Sequence, residues 1–226
     1  MTHIQPPPGL WDSFWAEHAS RHNLLHRLLW LARFLFSSAY AQKLAQFSGP
    51  LPAPSLLEVG CGSARTLHYL ERRLQARQCF AFDLSPQAVW LTRAISPHFH
   101  PAVADALSLP LPAANIDVSF SIGLIEHFSR EQAAQMMREK ARVTRPGGVV
   151  AVMVPWKNSV YNLIVRRAFG KYWPFGDEYP FRRKELAETL KNSGLEDVKI
   201  FVIYGSTLLG DRKNTRLNSS HRIRSR

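Results

Sequence analysis

Leu56-Leu-Glu-Val-Gly-Cys-Gly-Ser-Ala-Arg65 is the stretch that decides how the rest of the chain reads. Leu56 to Val59 is a short apolar run of the kind that forms a buried strand. It enters a turn in which Gly60 and Gly62 let the backbone approach a ligand that any Cβ would exclude. A helix is expected from there to about Ala76, with its first N–H groups facing the same spot and favouring an anionic group. A lone Gly-x-Gly is weak evidence, because glycine turns are common. Glu58 sharpens it. A carboxylate has little use beside a pyrophosphate, and Arg65 stands where a dinucleotide turn takes Gly or Ala. An acid at this place suits a ligand bearing an ammonium or sulfonium group.

Outward from this turn, strands and helices alternate. Cys79 to Phe82 reads as a second strand ending on Asp83, and Ser85-Pro86 opens a helix as N-cap and first position. A weak third strand near Pro101 to Ala104 precedes Asp105, and Ile116 to Ile122 is a fourth. Ser129 caps a helix to about Val143, Arg145-Pro-Gly-Gly148 is a turn, and Val149 to Val154 is a fifth strand. Helices follow over 157–168 and 181–193, and Val198 to Tyr204 is a sixth strand. Such alternation predicts an α/β fold, a mainly parallel sheet with helices on both faces. Upstream, residues 11–47 read as helix in two pieces, ended by the Pro-rich 48–54. The domain organisation expected is a helical cap and linker over 1–54, an α/β domain over 55–210 with an aromatic insert at about 156–180, and a tail over 211–226.

Three acids thus stand at successive strand ends. A single one is most often an ordinary helix cap, but Glu58, Asp83 and Asp105 beside a glycine turn make that reading a poor account of all three. Asp83, 21 residues after Gly62, can accept both hydroxyls of a ribose. Asp105-Ala106 stands where an acid can accept the exocyclic amine of adenine.

On these residues, with Asp117-Val-Ser-Phe-Ser-Ile-Gly-Leu-Ile-Glu126-His127-Phe128 and Arg145-Pro-Gly-Gly148, the chain over Leu56 to Tyr204 resembles the class I S-adenosylmethionine-dependent methyltransferases of the small-molecule, type 11-like kind. The resemblance implies a Rossmann-like fold and S-adenosylmethionine as cofactor. It places Gly60, Cys61 and Gly62 against the methionine part, with Glu58 behind them and Ile122 flanking it. Asp83, with Leu84 beside it, would hold the ribose, and Asp105 and Ala106 the adenine. Ala64 departs from the family, which has Gly there; a helix-opening position with φ below zero would tolerate its methyl group, and that is the expectation.

Methyl transfer is an in-line displacement that asks for alignment, a water-poor site and, for some acceptors, a base. His127, after the fourth strand, is the candidate base or substrate-orienting residue, set against a helix-edge histidine bonded to backbone. Glu126 is the lesser candidate, since it could simply anchor the loop. The Asn/Asp-Pro-Pro-aromatic run of relatives that methylate nucleic-acid amino groups is absent, which disfavours a nucleic-acid partner and favours a small, lipophilic metabolite. Trp11, Phe14, Trp15 and Trp30, with Trp156, Tyr161, Tyr172, Trp173, Phe175 and Tyr179, could form a lid over the acceptor or pack a small helical subdomain. His18, His22 and His26 share one helical face, but no carboxylate or Cys completes a metal set, and no metal is expected.

The 226 residues carry 29 Lys and Arg against 17 Asp and Glu, a net charge of +12 that invites an anionic partner. Five of those net charges lie in Asp211 to Arg226. Asp211 to His221 resembles the translation of a sequencing-library adapter, with Asn214 in place of Ser, so this tail is expected to be foreign and disordered. The natural gene product would then continue differently after about Gly210, and the family's seventh strand, antiparallel between the fifth and sixth, would be missing or poorly formed. Cys61 and Cys79 make no disulfide framework, which favours the cytoplasm. No signal peptide is visible, and Leu24 to Phe36, broken by His26, Arg27 and Arg33, is too short for the ~20 residues of a membrane span. The competing reading is a non-catalytic protein of the same fold. Arg21, Arg27 and Arg33 on its amphipathic helix would bind a membrane surface or a protein partner.

Overall fold

A computed structural model describes residues 9–20, 37–93, 95–156, 178–201 and 224–225. Its centre is β1 (Ser55–Val59), buried at all five positions. β2 (Gln78–Asp83) pairs parallel on one side and β4 (Ile116–Ile122) on the other. A strand enclosed on both edges and both faces is mostly apolar, which is why Leu56-Leu57 and Val59 read as a run rather than an alternation, with Ser55 and Glu58 its buried polar positions. β3 (Phe99–Val103) pairs parallel outside β2, and β5 (Thr144–Met153) outside β4. The five strands form a parallel sheet in the order β3-β2-β1-β4-β5.

Adjacent side chains leave the sheet on opposite faces. Leu56 packs in one cluster with Leu67 and Leu70 of α3 (Arg65–Leu74) and with Tyr40 and Leu44 of the helix over 37–48, here α2. Leu57 packs in another with Phe82, Ile116 and Val143 of α5 (Arg130–Val143). Met136 and Met137 of α5 and Leu186 and Leu190 of α6 (Arg183–Lys191) fill a third. α1 (Leu10–Ser20) and α4 (Pro86–Arg93) complete the helices described. Helices therefore cover both faces, as expected of a Rossmann-like sheet.

The expected caps are present. Ser129 and Gln132 make a reciprocal capping box on α5, each bond 3.2 Å, and Ser85 Oγ accepts from the Ala88 N–H at 3.3 Å. Residues 10–20 and 37–48 are helical as read, whereas Leu24 to Phe36, the expected helix over 157–168 and most of the aromatic insert lie outside the described residues.

Several expectations are corrected. Residues 145–148 are assigned to β5 rather than to a separate turn. The pairing still jumps from Ile116–Thr144 to Val118–Val149, so Arg145 to Gly148 leave the ladder as a bulge. The sixth strand lies earlier than Val198: β6 is Leu195–Glu196, 198–201 carry no regular structure, and 202–204 lie outside the described residues. Leu195 is the residue buried there, in the cluster of α5 and α6. The seventh strand is poorly formed, one of the two outcomes expected. A two-residue segment, β7 (Arg224–Ser225), pairs antiparallel with β6 and touches β5 at Pro146, giving the full order β3-β2-β1-β4-β5-β7-β6. Of the tail, 224–225 form this short strand, and 211–223 and 226 lie outside the described residues.

Candidate functional site

The carboxyl ends of β1, β2 and β4 meet at the glycine turn, the place where open parallel sheets bind ligands. Gly60 and Gly62 have φ of +69° and +50°, a conformation in which glycine carries no Cβ penalty. The turn is fastened to β2: the N–H groups of Gly60 and Cys61 both donate to Phe82 O, at 2.8 and 3.0 Å, and Gly62 N–H donates to Asp83 Oδ2 at 2.8 Å. These N–H groups are spent inside the protein. Cys61 points its thiol into the core beside Thr92, and burial pushes that thiol well above its ordinary value. A Cβ on Gly60 would lie 3.0 Å from Leu124 Cδ1, and one on Gly62 would lie 2.2 Å from the ring of Trp15. Gly62 is therefore required by packing as well as by φ, while Gly60 is required by φ and leaves Leu124 little room to spare.

Glu58 is 3% exposed, and its Oε2 accepts the Leu67 N–H at 3.2 Å. Leu67 is the third residue of α3, whose N-cap, Ala64, offers no side-chain acceptor. The carboxylate at the end of β1 thus caps the next helix from a distance, and one of the N–H groups expected to await an anion is taken by it. Ala64 itself has φ +48°, ψ 25°. This corrects the expectation of φ below zero: the position is left-handed, and Ala carries the Cβ penalty there that Gly would avoid.

Asp83 completes the link between the first two turns. Its Oδ2 holds Gly62 and its Oδ1 accepts the Ser85 N–H at 2.9 Å. Burial pushes its carboxyl above the usual range, against the backbone hydrogen bonds from Ser85, Gly62 and Leu84 and with the charge of Asp12. Each oxygen keeps a second lone pair, so the pinned carboxylate can still accept hydroxyl donors. Leu84 beside it is 62% exposed, and Val103, the register partner of Asp83 on β3, is 53% exposed. Asp105 is exposed and accepts the Leu107 N–H at 2.8 Å, which is the local-cap reading of that acid, while Ala106 is half-buried. Ile122, half-buried, ends β4 opposite Met153.

After β4 the chain makes a single helical turn, Ile125–His127, that buries Glu126 and His127 at 1% and 4%. The imidazole meets the indole of Trp11 edge-to-face at 5.0 Å. α1 thereby touches three turns at once: Trp11 at His127, Trp15 over Gly62, and Asp12 accepting from the Ser85 hydroxyl. Of the aromatics expected to form a lid or to pack a helical subdomain, Trp11 packs on His127 and Trp15 on Gly62. Phe14 packs edge-to-face on both, and Trp30 lies outside the described residues. Of the insert, Trp156 and Tyr179 are described. Trp156 bridges to Phe181, and the Tyr179 N–H donates to Glu126 O at 2.7 Å. Burial and the charge of Glu178 push the Glu126 carboxyl up to about 8. Among the described residues no set of three His, Cys, Asp or Glu is placed to hold a metal. His22 and His26 lie outside them.

The structure brings Glu58, Gly60, Cys61, Gly62, Asp83 and Leu84 together and leaves His127 a turn away across Leu124. Sequence reasoning missed Val103, Leu124 and Glu178, and did not single out Asp12. Val103 carried a usable signal, an apolar residue at the carboxyl end of an edge strand two positions before Asp105.

Residues 56–148 match the methyltransferase domain family. With the five-stranded parallel sheet, this makes that segment similar to the class I S-adenosylmethionine-dependent methyltransferases. Among its relatives, a malonyl-[acyl-carrier protein] O-methyltransferase of Serratia marcescens is 32% identical over 48% of this chain and 41% of its own length. A tRNA (carboxymethyluridine(34)-5-O)-methyltransferase of Mus musculus is 31% identical over 50% of this chain and 16% of its own length. A protein of Mycolicibacterium smegmatis named "Probable S-adenosylmethionine-dependent methyltransferase" is 34% identical over 62% of this chain and 51% of its own. The chain thus spans about half or less of the length of each relative. The solved structure of a methyltransferase of the same cofactor class from Thermotoga maritima superposes with a TM-score of 0.63 at 16% identity, covering 95% of this chain and 91% of that one, a likeness of fold.

Proposed function

We propose that this chain transfers the methyl group of S-adenosylmethionine to a small-molecule acceptor. The observation that carries the reading is the 2.8 Å bond from Gly62 N–H to Asp83, which fixes a carboxylate with spare lone pairs beside a turn that has no room for a side chain. In this reading Asp83 accepts the ribose hydroxyls, and the exposed apolar faces of Leu84 and Val103 cover the purine near Asp105 and Ala106. Gly60, Cys61, Gly62 and Ile122 bound the methionine part, with Glu58 supplying negative charge behind it. S-adenosylmethionine supplies an electrophilic methyl group on a sulfonium centre. The residues of the chain align the acceptor, exclude water through α1 and its Trp11 and Trp15, and offer His127 as base or orienting group.

A small acceptor is supported by α1, which lies on the turns after β1, β2 and β4 and leaves less approach for a bulky polymer than for a metabolite. The tRNA-modifying relative keeps the nucleic-acid reading in play as an outcome of the acceptor screen. A cytoplasmic place is part of the same proposal, consistent with two free, buried thiols; among the described residues no helix is long and apolar enough to cross a membrane.

Titration calorimetry with S-adenosylmethionine tests the reading. The intact chain is expected to bind. Asp83→Asn, which keeps the shape, is expected to weaken binding at least about tenfold, the worth of one or two charge-assisted hydrogen bonds. No binding by the parent would leave the non-catalytic alternative standing, and unchanged binding by the variant would remove the ribose assignment alone.

A further inference from the structure

Resting on the methyl-transfer reading above, we infer that α1 is a gate on the cofactor side of the site. It swings off the turns after β1 and β2 to admit S-adenosylmethionine, and the bond from the Ser85 hydroxyl to Asp12 is its latch. The inference stands on where the helix sits and on how little holds it. Trp15 stands on the glycine turn, so close that a Cβ at Gly62 would strike its ring. Asp12, nearly one helical turn earlier, accepts the hydroxyl of Ser85. The reading gives these two turns to the methionine part and the ribose, so the seated helix lies across the way in. With it in place Cys61, Gly62 and Ser85 are buried, as is Trp15 itself. The same helix reaches the turn after β4 through Trp11, whose indole meets His127 at 5.0 Å. A ligand that is to lie along Gly62 and Asp83 together meets this helix first.

The attachment is slight for a helix of 11 residues. Of the side chains from Leu10 to Ala16, Trp15 alone is buried. By contrast α3 buries Thr66, Leu67, Leu70 and Glu71. The charge of Asp12 also acts against that of Asp83, so the seated position is opposed as well as held. Elements with few buried contacts open at a fraction of the cost of global unfolding, and lids are drawn from them.

The turns beneath do not depend on α1. Gly60 and Cys61 are held by Phe82 O, and Gly62 and Ser85 by Asp83, so the frame keeps its shape when the helix leaves. Ser85 is suited to a latch for the same reason. Its N–H stays with Asp83 Oδ1 at 2.9 Å and its Oγ accepts the Ala88 N–H at 3.3 Å, while its O–H reaches out to α1. Letting go of Asp12 frees that hydroxyl without unmaking the cap of α4.

The test is stopped-flow fluorescence on the intact chain, mixed with S-adenosylmethionine and, separately, with S-adenosylhomocysteine at rising concentrations. Where opening precedes entry, the observed rate levels off at high ligand concentration. It does so at one value for both ligands, because that value is the opening rate of α1. Trp15→Ala should raise this plateau at least about tenfold, through loss of the buried indole. Asp12→Ala should raise it at least about threefold, through loss of the latch, and serves alone if the first variant does not fold. A rate that climbs in proportion to concentration, or a plateau that moves in no folded variant, would overturn the inference and leave the methyl-transfer reading standing. Binding of neither ligand by the parent would overturn both.

Discussion

The turns after β1 and β4 sit on either side of Leu124, yet they bury their polar groups in opposite ways. Around the first, each group is answered by a nearby one: Gly60 and Cys61 by Phe82, Gly62 and Ser85 by Asp83, and Leu67 by Glu58. Around the second, Glu126 is buried with an oxygen unanswered among the described residues. Among the described residues, Lys140, fully buried on α5, has the Ser121 hydroxyl at 3.0 Å and Ala151 O at 2.6 Å to receive its protons. The first turn is a rigid frame whose polar atoms hold the backbone in shape. The second carries electrostatic cost that folding does not need, and such cost gathers where a molecule does chemistry.

The largest test of this contrast is the dependence of stability on pH. Burial lowers Lys140 to about 7, from an ordinary value near 10.5. Between those values the unfolded chain binds the extra proton, so stability rises with pH across that window, by on the order of 4 kcal/mol. Glu126, raised to about 8 from near 4.5, has the reverse sign. There the folded chain binds the extra proton, and stability falls as pH climbs from about 4.5 to 8. The two slopes leave a minimum in their joint contribution near pH 7 to 8. Urea denaturation at successive pH values should show Lys140→Met flattening the alkaline limb and Glu126→Gln the acid limb. Equivalent variants around the first turn, such as Glu58→Gln, should leave both limbs in place. Limbs that survive Lys140→Met and Glu126→Gln would erase the contrast.

The same contrast separates what the amino-acid sequence makes legible from what it hides. Strands β1 to β5 and α5 are legible because each is a local pattern: Ile116 to Ile122 is an apolar run of strand length, and Ser129 opens a helix that keeps its period to Val143. The first turn is legible because glycines and acids at strand ends are local too. The ties that complete the site are not local. Trp15 reaches Gly62, and Asp12 reaches Ser85, across separations that no periodicity records. Glu178 stands beside an aromatic-rich segment whose rings are the stronger local signal, and the acid it faces, Glu126, is far away in sequence. β6 is misplaced for a related reason: Val198 to Tyr204 has strand-like residues, but the buried anchor that decides the pairing is Leu195, against α5 and α6.

A smaller effect tests whether α1 is seated on the first turn. Gly62→Ala would place a methyl carbon 2.2 Å from the Trp15 ring at a left-handed position. Overpacking of about 1–3 kcal/mol and a backbone cost of about 1–2 kcal/mol should together lower stability by about 3 kcal/mol. In a Trp15→Ala background the steric part disappears, and the same substitution should cost only the backbone share, near 1 kcal/mol. Denaturation of the four chains of this cycle checks it. An identical cost in both backgrounds would show that the indole does not rest on the turn.

The smallest expected effect is the sharpest about the frame itself. Ala64 sits at φ +48° and is 1% exposed. Replacing it by Gly relieves a left-handed penalty of about 1–2 kcal/mol. The replacement also removes a buried methyl group worth about 0.8 kcal/mol and adds backbone freedom to the unfolded chain worth about 0.5–1 kcal/mol. These terms nearly cancel, so Ala64→Gly should change stability by less than about 0.5 kcal/mol in either direction. Had Ala64 opened α3 with φ below zero, nothing would be relieved. The same substitution would then cost about 1.5 kcal/mol, the sum of the lost methyl and the added freedom. Chemical denaturation resolves the two outcomes. A clear loss would mean that the turn accepts its alanine without strain, and that the first region is a still better satisfied frame than its geometry shows.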